Sequence, residues 1–262
     1  MVALHTWSYD LEQRDLSFET EAKRRNWFYL FPNFRGVNDH PAACASELAQ
    51  QDILDAVAWA KAHLKVDSHR IYLLGESGGG QMALIMAARA PELWAAASVW
   101  VPISDLIAFR REHEGDLYGT MVELCVGGGN ETVVAAEYRA RSPVTQLAQA
   151  ASVPIDISAG RCDGHAPPVH SLSIAHSLLA FNVLARAVGA TPVSEDEIAQ
   201  LSRPDGYLDH PSPGDTTADP EFGRPVFLRR TAGPSRVTIF DGGHEALAPA
   251  AFAWLQNHVK PQ

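Results

Sequence analysis

Gly75-Glu76-Ser77-Gly78-Gly79 follows the apolar run Ile71-Tyr72-Leu73-Leu74 and leads into a stretch of helical character over residues 80–89. A serine flanked by glycines, at the junction of a short buried strand and a helix, sits on a turn so sharp that its backbone is strained and its Oγ projects into a cleft. A Cβ at the flanking positions would collide with neighbouring backbone, which accounts for the glycines. The helix that follows turns its free N–H groups towards the same point. Ser77 is therefore a candidate nucleophile. The rival reading is a glycine-rich turn of no chemical consequence, and the strand before it and the helix after it weigh against that.

Outward from this turn, apolar β-rich runs alternate with longer stretches of helical period. Residues 2–5, 27–31, 71–74, 96–101, 155–159 and 237–240 read as strands, and residues 11–25, 46–64, 79–90, 170–188 and 245–259 as helices. In the 46–64 helix, Leu48, Ile53, Val57, Trp59 and Leu64 supply an apolar face, with Asp52 and Asp55 pointing elsewhere. Such alternation predicts an α/β fold: a mainly parallel, doubly wound sheet with helices on both faces. The length of 262 residues fits a single domain over 1–262 with room for a large core.

Two stretches break the rhythm. Residues 103–151 mix charges with Gly127-Gly128-Gly129 and are too long for a simple crossover, so they are expected to form a lid or a pocket wall. Residues 191–224, rich in Pro, Gly and Asp, read as an excursion over the surface. After them, 226–230, the turn Ala232-Gly233-Pro234-Ser235 and 236–240 read as an antiparallel hairpin, which adds an extra strand near the C-terminus.

A hydroxyl is almost fully protonated near neutral pH, so Ser77 needs an imidazole to take its proton. The imidazole in turn needs a carboxylate to fix its tautomer. Open α/β sheets place such groups on loops at the carboxyl ends of their strands. Asp163 stands just past the strand end in Gly160-Arg161-Cys162-Asp163, and His244 occupies the corresponding loop in Asp241-Gly242-Gly243-His244-Glu245. Asp105, after the preceding strand, is the alternative acid, whereas Asp156 lies inside a strand, where a structural bond suits it better. His165, His170 and His176 cluster near Asp163 but precede the last strand, and they read as loop or helix surface residues. Glu76 could tune the pocket, although a structural salt bridge is the plainer role. Two N–H donors must meet the developing oxyanion: the backbone of Gly78, and on the loop Leu4-His5-Thr6-Trp7 the N–H of Trp7, or of Thr6 if the loop turns differently.

A net charge of −10 argues against nucleic acid or an anionic membrane as a partner. No apolar stretch reaches the ~20 residues that span a bilayer. Cys44, Cys125 and Cys162 lack metal-ligand spacing, so no metal site is expected. Their odd number argues against a disulfide framework, leaving room for one bridge. Cys162 reads as a small buried apolar side chain. Met1-Val2-Ala3-Leu4 lacks a basic leader, which predicts a cytoplasmic location unless an export signal has been lost upstream.

Leu4-His5-Thr6-Trp7, Gly75-Glu76-Ser77-Gly78-Gly79, Gly160-Arg161-Cys162-Asp163 and Gly242-Gly243-His244 together resemble the α/β-hydrolase superfamily, over roughly residues 4–259. Within it they are similar to the prolyl-oligopeptidase-like and esterase branches. The resemblance implies acyl transfer to water through a serine-bound intermediate, with Ser77, Asp163 and His244 as the triad and no metal or organic cofactor. Two departures stand out. Thr6 replaces the glycine usual after the histidine. The chain also starts at the His-Gly strand, so the first one or two strands of the fold are expected to be missing. Residues 27–31 would then be an apolar edge, covered by another segment or by a second copy in a homo-oligomer.

The expected substrate is a small-molecule ester. Arg110-Arg111-Glu112-His113-Glu114-Gly115-Asp116 makes the candidate lid strongly charged, which favours small or polar esters such as acylated carbohydrates, with Trp7 and Trp100 lining the pocket. A peptidase or amidase using the same triad is the alternative, and a hydrolase fold used only for binding is another.

Overall fold

The computed structural model describes residues 1–127, 131–165 and 172–261. Its strands are β1 (Val2–Leu4), β2 (Tyr72–Glu76), β3 (Ala96–Trp100), β4 (Ile155–Gly160), β5 (Val226–Ala232) and β6 (Ser235–Phe240). They form one sheet in the order β1-β2-β3-β4-β6-β5. All neighbours run parallel except the hairpin pair β5 and β6. Strands β3 and β4 are buried along their whole length, the mark of strands covered on both faces. The mainly parallel α/β sheet with an antiparallel hairpin strand, expected from the sequence, is the fold observed.

The helices are α1 (Leu16–Arg24), α2 (Glu47–His63), α3 (Gly78–Arg89), α4 (Leu106–Glu112), α5 (Leu117–Val126), α6 (Glu131–Ala140), α7 (Ala175–Ala187), α8 (Glu195–Leu201) and α9 (Ala248–Gln256). Local chemistry fixes several of their ends. Asp15 caps α1 by accepting from the amides of Ser17 and Phe18, so the helix starts later than residue 11. Helix α8 opens on a reciprocal capping box between Ser194 and Glu197, an ordered element inside the stretch read as a surface excursion. The expected start of a helix at residue 170 lies outside the described residues, as do Gly128 and Gly129.

Two sequence expectations are corrected here. The buried face of α2 is Ala49, Gln50, Ile53, Val57 and Ala60, whereas Leu48 and Trp59 are exposed. Spacing of three and four residues selects the first set, and Trp59 lies off that stripe, stacked on His63. The strand expected over residues 27–31 is reduced to a single parallel bridge, Val2 to Leu30. Three bonds hold it beside β1: Ala3 N–H to Leu30 O, Leu30 N–H to Met1 O, and the Met1 ammonium to Phe28 O. The apolar residues there reflect packing rather than strand pairing, since Trp27 stacks on Tyr72 at 4.9 Å and on Phe252 at 5.6 Å.

The main core fills both faces of the sheet. A second cluster brings Trp7, Ile103, Leu106, Phe109, Met121 and Val122 together, so α4 and α5 pack directly over the loop after β1. A disulfide joins Cys44 to Cys125 across this cluster, with 5.9 Å between their Cα atoms. The one bridge that the cysteine count left open is therefore made. Cys162 is free and only partly buried. Among the described residues, no helix is long and apolar enough to cross a membrane.

Candidate active site

Ser77 lies between β2 and α3 with φ 57° and ψ −119°. That is left-handed backbone, which costs a non-glycine residue of order 1–3 kcal/mol and persists only where the surroundings enforce it. The enforcement is visible: the Ser77 N–H donates to Trp100 O at 2.9 Å, and its carbonyl accepts from the Gln81 amide at 3.0 Å. The turn is held from the neighbouring strand on one side and from the helix on the other.

Asp163 and His244 follow β4 and β6, which pair in parallel. Their loops are bonded to each other: Arg161 N–H donates to Phe240 O at 2.8 Å and Cys162 N–H to Gly242 O at 2.9 Å. This approach leaves no room at Gly160, where a Cβ would sit 2.3 Å from the Gly242 carbonyl carbon. The result places Nδ1 of His244 2.9 Å from Oδ2 of Asp163. The other carboxylate oxygen, Oδ1, accepts from the Leu172 amide at 2.7 Å, and Asp163 is buried. Burial works against a charged His244, but the hydrogen bond and charge of Asp163, with a contribution from Glu76, outweigh it and raise the imidazole above its usual value. An imidazole held in this way keeps Nε2 available to take a proton from a hydroxyl.

The loop after β1 meets the elbow closely. A Cβ on Gly78 would lie 2.6 Å from the Trp7 nitrogen and 2.7 Å from its Cα, so the two backbones are in contact. Gly78 is the first residue of α3, and its N–H has no acceptor within the helix. The Thr6 N–H is already committed to Gln13 Oε1 at 2.8 Å, whereas the Trp7 N–H has no partner among the described residues. Of the two donors left open by the sequence, Trp7 is thus the one available to a ligand. The loop is braced behind by His5, which stacks on Phe34 at 3.8 Å, and by Asn38, whose amide donates to Trp7 O at 3.0 Å.

The rival residues have other partners. Asp105 caps α4 through the amides of Ile107 and Ala108. Asp156 pairs with Arg236, both oxygens within 2.9 Å. His165 is exposed, and His170 lies outside the described residues. His176, read as a surface residue, is buried, its Nδ1 accepting from the Ser104 amide at 3.2 Å. Trp100 does not line the pocket; it is buried in the core against Phe222 and Phe240. Glu76 forms no salt bridge among the described residues. It lines a cavity of about 250 Å³ together with Ser77, His244, Trp7, Phe109 and Tyr118. Phe109 and Tyr118, together with Gln13 and Asn38, carried no sequence signal, because only tertiary packing brings them to this place. Among the described residues, no group of three or more His, Cys, Asp or Glu side chains is arranged to hold a metal ion.

A parallel sheet with a left-handed serine elbow, an Asp-held histidine and two open backbone amides defines a serine hydrolase of the α/β-hydrolase type. The chain belongs to the prolyl oligopeptidase family, whose match covers residues 19–187 and so takes in Ser77 and Asp163. An acylaminoacyl peptidase in complex with Z-Gly-Gly-Phe-chloromethyl ketone is similar in fold, with TM-score 0.55 and 19% identity over 72% of this chain and 30% of that one. The acylaminoacyl peptidase of Pyrococcus horikoshii gives TM-score 0.52 and 17% identity over 71% of this chain and 30% of that one. This chain thus spans about 30% of the length of either peptidase. A search of curated proteins returned no match.

Proposed function

We propose that this chain hydrolyses carboxylic esters of small or polar substrates, acylated carbohydrates among them, through an acyl-enzyme on Ser77. The observation that carries the proposal is the His244–Asp163 pair beside Ser77 on the wall of one small cavity. In the proposed cycle, Ser77 Oγ attacks the carbonyl carbon while Nε2 of His244 takes the hydroxyl proton. Asp163 stabilises the imidazolium, and the amides of Gly78 and Trp7 receive the oxyanion. His244 then gives the proton to the leaving alcohol. Water repeats the sequence in reverse to free the acid.

A second reading, cleavage of aminoacyl amides or peptides, is favoured by the family and by the likeness to two acylaminoacyl peptidases. The machinery is common to both; an amide demands fuller protonation of its leaving group. The Cys44–Cys125 disulfide supports an oxidising compartment for the folded chain.

The test compares the protein with its Ser77→Ala variant on p-nitrophenyl acetate, p-nitrophenyl butyrate and an aminoacyl p-nitroanilide, beside labelling by a fluorophosphonate probe. Ester hydrolysis is expected to fall by roughly 10³-fold or more in the variant, with labelling lost. Turnover of the anilide at a rate comparable to the esters moves the assignment to the peptidase reading. Equal, slow rates in both proteins without labelling would leave a fold used only for binding.

A further inference from the structure

Cys44 and Ala45 stand side by side in left-handed backbone, with φ 54° and 57°, and both are buried. Neither is a glycine, so this conformation persists only because the surroundings enforce it. Arg141, buried just after α6, donates from Nη1 to Ala43 O at 2.9 Å and to Cys44 O at 3.1 Å, and from Nη2 to Pro41 O at 2.9 Å. Cys44 is bridged to Cys125 on α5. Its amide donates to Oδ1 of the buried Asn38 at 2.6 Å. Sγ of Cys125 lies 3.2 Å from the Asn38 carbonyl oxygen, so both bridged cysteines touch Asn38.

Asn38 reaches the site through its backbone, donating to Trp7 O at 3.0 Å. On the other side, the Thr6 N–H is held by Gln13 Oε1 at 2.8 Å, and Thr6 O accepts from Nδ1 of His5 at 3.0 Å. The peptide between Thr6 and Trp7 is thus anchored from both ends and at its carbonyl, and the Trp7 N–H is its open group. We propose that Asn38 is a positioning residue for the oxyanion hole and that the Cys44–Cys125 bridge anchors it, so that together they hold the Trp7 N–H towards the oxyanion formed at Ser77. This rests on the reading of Ser77 as the acylated nucleophile, and it gives the bridge a part in turnover besides stability. A donor aimed at the tetrahedral intermediate acts on the transition state more than on bound substrate. A shift of about 1 Å in such a group can cost up to ~10²-fold in rate. Loosening Asn38 therefore weakens binding of a tetrahedral adduct and spares binding of an unreacted ligand.

The experiment compares two ketones as inhibitors of p-nitrophenyl butyrate hydrolysis. The carbonyl carbon of 1,1,1-trifluoro-4-phenylbutan-2-one takes Ser77 Oγ, the hydroxyl proton passes to His244, and the carbonyl oxygen becomes the oxyanion. The methyl ketone 4-phenylbutan-2-one binds without adding. Asn38→Ala should raise the inhibition constant of the trifluoromethyl ketone at least tenfold and that of the methyl ketone less than threefold, a split that a purely structural role would not give. Asn38→Asp keeps an acceptor for the Cys44 amide and should hold both constants within threefold of the unaltered protein. Because a variant can fail to fold, the same question is put to the unaltered protein after treatment with tris(2-carboxyethyl)phosphine. The phosphine is oxidised to its oxide with oxygen from water, and the bridge is reduced to two thiols; a thiol count rising from one to three verifies this. The selective tenfold rise is expected again. With Ser77 labelled by the fluorophosphonate probe, three results overturn the positioning role and leave the hydrolase reading standing: equal binding of the two ketones by the unaltered protein, a parallel change in both constants, or no change in either. Absence of labelling overturns the hydrolase reading, and this inference with it.

Discussion

Glu76 keeps its proton up to about pH 7 because burial penalises its charged form, whereas a glutamate in an unfolded chain titrates near 4.5. The folded state therefore holds more protons than the unfolded state between those two values. The sign follows from linkage: stability is greatest below about pH 4.5, falls as pH rises through the window, and levels off above about 7. Glu76→Gln removes the titration. Its stability advantage over the unaltered protein should be near zero at pH 4 and grow to no more than about 3 kcal/mol at pH 8. Urea denaturation of both proteins at pH 4, 6 and 8 checks this, and a constant gap would contradict it. Ser77, Asp163 and His244 were legible as candidates because each follows an apolar run and is marked by adjacent glycines. Glu76 was legible as a pocket residue, but the salt bridge read as its plainer role is not formed among the described residues. Nothing in the chain shows that the cations of the fold pair elsewhere, for instance Arg236 with Asp156.

At the scale of elements, the site depends on how firmly β4 and β6 are joined, since their loops bear Asp163 and His244. One brace is the pair of Asp156 on β4 with Arg236 on β6, at 2.8 and 2.9 Å, with Asp156 fully buried. The Arg236 guanidinium also lies 4.5 Å from the Trp254 ring centroid. Removing one partner strands the other charge, so Arg236→Ala should cost about 3–5 kcal/mol in urea denaturation, and the double variant Arg236→Met with Asp156→Leu should recover most of it. If the single variant loses less than about 1 kcal/mol, the brace is not structural. The strands of the parallel sheet were readable because burial on both faces writes a continuous apolar run. Residues 27–31 carry a similar run and form only one bridge, since Trp27 is drawn onto Tyr72 and Phe252 instead. Local composition does not distinguish a residue buried by pairing from one buried by stacking.

Over the whole molecule, the Cys44–Cys125 disulfide closes a loop across 81 residues, tying the segment before α2 to α5. It also stands behind the site: the Cys44 amide donates to Asn38 Oδ1 at 2.6 Å, and the Asn38 amide donates to Trp7 O. The Cys44→Ser/Cys125→Ser variant should lose roughly 2–4 kcal/mol of stability. Thermal unfolding with and without reductant should separate the parent protein into two Tm values and leave the variant with one. This pairing was not visible in the sequence, because residues so far apart meet only through the packing of α4 and α5 over the loop after β1.

The three side chains of the site sit at the ends of β2, β4 and β6, so they meet only when the sheet is continuous across those strands. Under the proposed mechanism, a sheet without β6 holds the nucleophile and Asp163 but not the base. Recovery of ester hydrolysis during refolding would then report the docking of β6 rather than collapse of the core.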